Sequence, residues 1–488
     1  MTHTRYRFFA AALVAVFFLA AFASAQDKGA SLKTIHPLNR APVNREILQV
    51  KLPRPSEVKL PNGLTVLLLE RHKIPTVNLS LWINTGSLDD PRETPGLAQF
   101  TAEMMREGTT HRTSSQISSE IDALGARVDV ESEFGSSHTQ VDASGFPDHL
   151  DQLLDLFSDI VLNPAFPSEE LEKYRKRHLA ALEEERSEPS FLSNERFARA
   201  LYGDSPAAEV SATPAAIQSA TVDQLKQFHA QHFVSNRALL GVVGDFDSKQ
   251  MMALITKYFG AWKGSAAVPF SVKIPERAPF AIHLVDRPDS VQTDILAGQL
   301  AVPRNNPDYV ALRVMNRVLG EGTSSRLFLN LREDKGYTYG AYSGLNPDIY
   351  PRPLVANTEV RNAVTDGSLH ELLGEFKRLR EEPVPADELD KAMHAIVASF
   401  ALSLEHQSEL LHLWMELKHD GLPDDYWDRY PAEIAKVTPD AIQRVAKRYL
   451  DPDHLQIVCV GNGKEIKSTL AKYGPVQVYD VNGKKLTE

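Results

Sequence analysis

A long stretch of this chain is written twice. "TVDQLKQFHAQHFVSNRALLGVVGDFD", from Thr221, has a counterpart 217 residues on in "TPDAIQRVAKRYLDPDHLQIVCVGNGK", from Thr438. Each reads as a helix, a short break and a buried strand ending at Gly244 or Gly461. A second pair, "PSEELEK" (Pro167–Lys173) and "PADELDK" (Pro385–Lys391), agrees at nearly the same offset. Repetition on this scale means two copies of one folding unit, each with its own core. Within each copy, strands come first, then helices, then a closing strand. That order predicts an α+β class of two homologous domains, each an antiparallel-rich sheet packed with helices, rather than steady βαβ alternation. The boundaries fall at residues 55–262 and 280–478, with a ten-residue tail at 479–488. The join, "WKGSAAVPFSVKIPERAPF", is rich in Pro, Ser and Ala, so residues 263–279 read as a linker.

The first 25 residues read as a processing segment. Arg5 and Arg7 precede an apolar run from Phe8 to Ala21, and Ala23-Ser24-Ala25 supplies a small-residue cleavage site. Fourteen apolar residues are too few to span a bilayer core. The expectation is an exported chain, periplasmic and without a membrane span, that begins near Gln26. Residues 26–54, with Pro37, Pro42 and Pro53 and no periodicity, read as an extended arm. A net charge of −11 and the lack of a basic run argue against a nucleic-acid partner, because neutralising phosphates takes clustered Lys and Arg. The single cysteine, Cys459 in "QIVCVG", reads as core filling, so stability must come from packing.

The first half opens with an Asn62-Gly63 turn into an alternating strand, a second strand ending at Gly86, and the helix "PGLAQFTAEMMREGT". The succession of strand, "GSLDDP", "GLA", helix and "GT" resembles the N-terminal half of the pitrilysin/insulinase family of zinc peptidases. The resemblance implies an inverted H-x-x-E-H at this point of the helix, with a further Glu on a later helix completing the zinc ligands. Ungapped alignment puts Gln99 and Glu103 at the two histidine positions and Ala102 at the general-base position. Counting back from Pro189 along "YRKRHLAALEEERSEP" puts Ala181 at the distal ligand, with Glu184 or Glu185 as the one-turn alternatives. Alanine cannot activate water and a glutamine amide is a poor zinc ligand, so this chain is expected to bind no zinc.

The second half carries "SRLFLNLREDKGYTYGAYSG". In the family this segment supplies an arginine that binds a substrate carbonyl and, seven residues on, a tyrosine that donates to the oxyanion. Arg332 and Tyr339 match, and a well-aimed donor is worth roughly 3–4 kcal/mol of barrier. Tyr337 competes for the role, since a residue two positions away on a strand points the same way. Heterodimeric members of the family enclose a clam-shell chamber between two such chains. The resemblance therefore implies a partner chain that carries the H-x-x-E-H site and its zinc, and a peptide substrate bound as an added strand. The alternative is a non-catalytic peptide-binding or scaffold protein of the same fold.

Other signals are weaker. "GEGTSSR" (Gly320–Arg326) lacks the Lys of a phosphate loop and reads as the turn into the Arg332 helix. His412, Glu416 and His419 share one helix face, a conceivable metal stripe set among leucines. Glu183–Glu185 reads as a solvated helix face.

Overall fold

The repeat in sequence is a repeat in space. The computed structural model describes residues 48–265 and 274–486; the expected leader, most of the arm and the middle of the linker lie outside them. Strands β1 (Ser56–Lys59), β2 (Thr65–Glu70), β3 (Val77–Ile83), β4 (Arg127–Glu131), β5 (Thr139–Gly145) and β6 (Ala238–Gly244) form one six-stranded sheet, ordered β1-β2-β6-β3-β5-β4. Strands β7 (Ala281–Asp286), β8 (Gln292–Leu300), β9 (Ala341–Leu345), β10 (Pro353–Arg361), β11 (Gln456–Gly461) and β12 (Val476–Tyr479) form the other, ordered β12-β7-β11-β8-β10-β9. β6 and β11, the closing strands of the two repeats, occupy the same place. β6 runs parallel to β2 and antiparallel to β3, as β11 runs parallel to β7 and antiparallel to β8. Only the outermost strand differs. In the first sheet it is β1, joined to β2 through the Asn62-Gly63 turn, where Gly63 has φ 95°. In the second it is β12, which comes from the C-terminus and runs parallel to β7.

Period-two patterning decides the faces. On β3, Val77, Leu79, Leu81 and Ile83 face the first half's own helices, while Asn78, Ser80 and Trp82 face the other way. That second face is closed by a helix from the opposite half. Helix α2, Gln407–His419, lies across β6, where Gly241 leaves space for Leu411 and Met415; a Cβ there would meet both at 2.7 Å. The exchange is reciprocal. Helix α1, Pro189–Tyr202, leaves the first half and packs on β11 and β8 of the second sheet, placing Phe197 and Leu201 against Leu296 and Val458. The two halves therefore share cores, and Ile47–Glu488 forms one compact unit. The last residues of the arm join in, since Leu52 N–H donates to Asp428 and Trp414 donates to the Pro53 carbonyl. Cys459 is fully buried in β11 and burial pushes its thiol up, as core filling requires. Among the described residues no helix is long and apolar enough to cross a membrane.

Candidate functional site

The helix that holds the degenerate motif, Leu97–Met104, is started by a carboxylate from the "GSLDDP" segment. Asp90 accepts from the Gly96 N–H at 2.7 Å and the Ala98 N–H at 2.8 Å, and Gly96 takes φ 94° to let the chain enter. Burial pushes the Asp90 carboxyl up to about 7, against the pull of those N–H donors. Replacing Asp90 by Ala is expected to cost the helix start about 1–2 kcal/mol, read as a lowered urea midpoint, while Asn, which keeps an acceptor, costs less.

From this start the three key positions diverge. Ala102 is fully buried and packs in the core. Gln99 and Glu103 line a cavity of about 380 Å³ together with Arg106, Asp129, Glu131 and Glu133. Burial, then the neighbouring carboxylates of Glu133 and Asp129, raise Glu131. The residue that faces Glu103 from the later helix, Ser168–Glu185, is His178, its Nε2 2.9 Å from Glu103 Oε2. His178 stacks on Tyr174 with centroids 3.9 Å apart, which fixes the ring. Ala181 lies nearly one turn further along the same helix and is exposed, as are Glu184 and Glu185. His178 is the residue that sequence reasoning missed. Its signal was present in the i, i+4 pair Tyr174/His178, on the same face as Ala181.

This donor set does not fit zinc. One imidazole and one carboxylate hydrogen-bond each other, a neutral amide stands at Gln99, and an alanine methyl occupies the base position. Among the described residues no three His, Cys, Asp or Glu side chains converge as a metal-binding set. The His412/Glu416/His419 stripe is taken up in other contacts. Glu416 receives Arg304 at 3.0 Å, and His419 bridges Ser137 Oγ at 2.9 Å and Asn84 Oδ1 at 3.1 Å.

Arg332 sits in a π-helical turn, Phe328–Asp334, a geometry that often marks functional sites. Its guanidinium lies 4.7 Å over the Phe328 ring and stays 44% exposed. The backbone from Gly336 to Gly340 is irregular and β9 begins only at Ala341, so strand alternation does not govern the two tyrosines. Tyr337 packs its hydroxyl end against Gly367 of the helix Thr365–Glu381 and its N–H donates to the Leu331 carbonyl. Tyr339 is 94% exposed. Its flanks are pinned, because the Thr338 hydroxyl contacts the Gly340 and Glu359 carbonyls and receives the Gly340 N–H. The ring is free on a held backbone. β9 and β4 are both edge strands, each paired on one side only. Arg332 and Tyr339 do not line the cavity at Gln99 and Glu103.

The two like halves, each a six-stranded sheet packed with helices, are the fold of a peptidase family. Residues 65–214 match the family profile described as insulinase (peptidase family M16), and residues 219–396 match the peptidase M16 inactive domain. The chain belongs to the insulinase family, M16. It is 28% identical over 295 residues to an uncharacterized zinc protease of Mycobacterium leprae, a match covering 59% of this chain and 65% of that relative, just under two thirds of its length. An uncharacterized zinc protease of Streptomyces coelicolor is 24% identical over 404 residues, covering 80% of this chain and 86% of the relative. Among solved structures, a peptidase M16 inactive domain from Pseudomonas fluorescens superposes with a TM-score of 0.78 at 25% identity, covering 83% of this chain and 98% of that one. A protease from Helicobacter pylori superposes at 0.77 and 21% identity, covering 84% and 100%, which speaks to the fold alone.

Proposed function

We propose that this chain is the zinc-less subunit of an exported metallopeptidase. In this reading a homologous partner carries the H-x-x-E-H site and its zinc, and the two chains enclose a chamber in the periplasm. Arg332 holds a carbonyl of an extended peptide, and the Tyr339 hydroxyl donates to the oxyanion as the scissile carbonyl becomes tetrahedral. The peptide adds as a strand to an open sheet edge, where main-chain hydrogen bonds make recognition tolerant of sequence. The observation that supports this most is the contrast between the two halves. Glu103 and His178 satisfy each other where a metal would sit, while Tyr339 is presented to solvent on a pinned loop.

The test is reconstitution of peptide cleavage with an exported H-x-x-E-H homologue. Tyr339→Phe and Arg332→Ala are each expected to lower turnover tenfold or more, with complex formation and melting temperature unchanged. Tyr337→Phe, a packing residue, leaves turnover as it was. Full activity in both the Arg332 and Tyr339 variants would reduce the chain to a peptide-binding or scaffold subunit.

A further inference from the structure

The two halves close the same corner in different ways. In the first half the helix Ser248–Phe259 is followed three residues later by Trp262. That indole is buried and donates from Nε1 to the Phe233 carbonyl at 3.0 Å. In the second half the helix Gly463–Leu470 is followed three residues later by Tyr473. Leu450, 217 residues after Phe233, holds the place of Phe233. The Tyr473 hydroxyl, however, turns to Asp366, donating to its carbonyl at 2.8 Å and lying 2.9 Å from Oδ1. No indole fills the corner. A cavity of about 520 Å³ stands there, walled by Phe280, Leu373, Phe376, Leu450, Leu455 and Tyr473.

One cation lines this apolar wall without an ion pair. Arg380, on the helix Thr365–Glu381, forms no salt bridge or hydrogen bond among the described residues, and its Nε is buried with no acceptor. Neighbouring charges are otherwise engaged or displayed to solvent. Lys377 lies 3.9 Å from Glu381. Asp451 accepts the Asp453 N–H and bonds His454 Nδ1 at 2.8 Å; the Arg380 charge reaches it through space but forms no contact with it, and the Asp453 side chain is exposed at the rim. A buried guanidinium N–H without an acceptor costs free energy until one arrives, and a carboxylate is the acceptor its fork matches best.

We propose that this cavity binds an amphipathic monocarboxylate, its alkyl part against Phe376 and Leu455 and its carboxylate on Arg380. Apolar contact supplies the affinity and the arginine selects the acid over neutral and cationic analogues. The site is lined by residues of the second half alone, open to solvent at Lys377 and Asp453, and its occupancy does not depend on the peptidase reading.

Calorimetric titration of the full chain with octanoate, octanol and octylamine tests this. Octanoate is expected to saturate one site, with octanol and octylamine at least tenfold weaker. Arg380→Leu weakens octanoate at least tenfold without lowering the melting temperature, and Leu373→Trp, which puts an indole into the corner, abolishes saturable binding. Octanol matching octanoate, an Arg380→Leu chain that binds octanoate like the parent, or no saturable binding at all would each overturn the assignment. Should Arg380→Leu fold poorly, the comparison of ligands and the Leu373→Trp variant decide alone.

Discussion

Arg304→Met is expected to destabilise the chain by about 3–5 kcal/mol, read as a fall in the urea midpoint. Arg304 follows β8 and reaches the end of the exchanged helix α2, donating from Nε to Asp420 at 2.9 Å and from Nη2 to Glu416 at 3.0 Å. Its guanidinium also lies 5.3 Å over the Trp427 ring and 5.8 Å over Tyr309. Burial raises both carboxyls, and the arginine charge works against that rise. An intact buried ion triad contributes little net stability, because desolvation offsets attraction. Removing only the cation is different, since it leaves two enclosed carboxylates to repel each other, and loss of that kind sits in the few-kcal/mol range. Methionine keeps the aliphatic contact with the rings, so the loss isolates the charge. Combining Arg304→Met with Glu416→Gln and Asp420→Asn should recover most of the stability, because the orphaned charges go too. A loss below about 1 kcal/mol in the single variant, or no recovery in the triple, would mean the triad does not hold α2 in place.

The repeat made the topology readable. Two segments of like pattern, each closing on a glycine, became β6 and β11 at equivalent places in two like-ordered sheets. The exchange of α1 and α2 was not readable. Amphipathicity states that a helix has a face to bury, and β6 and β11 are equally apolar acceptors, so the pattern is indifferent to which sheet receives which helix. The site divided the same way. Gln99 and Glu103 were placed by an ungapped frame of a few residues and do line one cavity. Ala181 was reached by counting back from Pro189, and nothing in that count identifies His178, nearly a turn away, as the side chain that reaches Glu103. The spacing from Arg332 points to Tyr339, and strand alternation kept Tyr337 beside it as a competitor. Alternation does not relate the two rings, because the backbone from Gly336 to Gly340 is held by Thr338 side-chain bonds rather than by a ladder. His412 and His419 were legible as neighbours on a helix. Their partners Trp82 and His138 come from the other half, beyond the reach of any local pattern.

That cluster sets the acid stability of the joint between the halves. His138 stacks on Trp82 with centroids 4.4 Å apart and lies 4.9 Å from the His419 ring; His412 and His419 lie 6.1 and 5.7 Å from Trp82. Burial, then the charges of His419 and His412, pull His138 down to about 3, and burial lowers His419 against the opposing charges of Asp420 and Asp348. A histidine whose folded pKa is depressed favours the folded state fully above its unfolded value near 6.5. Below that pH the unfolded chain takes up a proton the folded chain refuses, and stability falls by about 1.4 kcal/mol per pH unit for one such group. Glu416 and Asp420, raised by burial, act in the opposite sense, so the whole-protein curve mixes both signs. The difference between the parent and His138→Phe separates them. Phenylalanine keeps the stack on Trp82 and removes an Nδ1 that is buried without a partner, so the variant should match or exceed the parent at pH 7.5. Between pH 6.5 and 4.5 the parent is expected to lose about 2 kcal/mol more than the variant, measured as unfolding midpoints across the series. Parallel curves over that window would show that the His138 ring takes up its proton in the folded state as readily as in the unfolded chain.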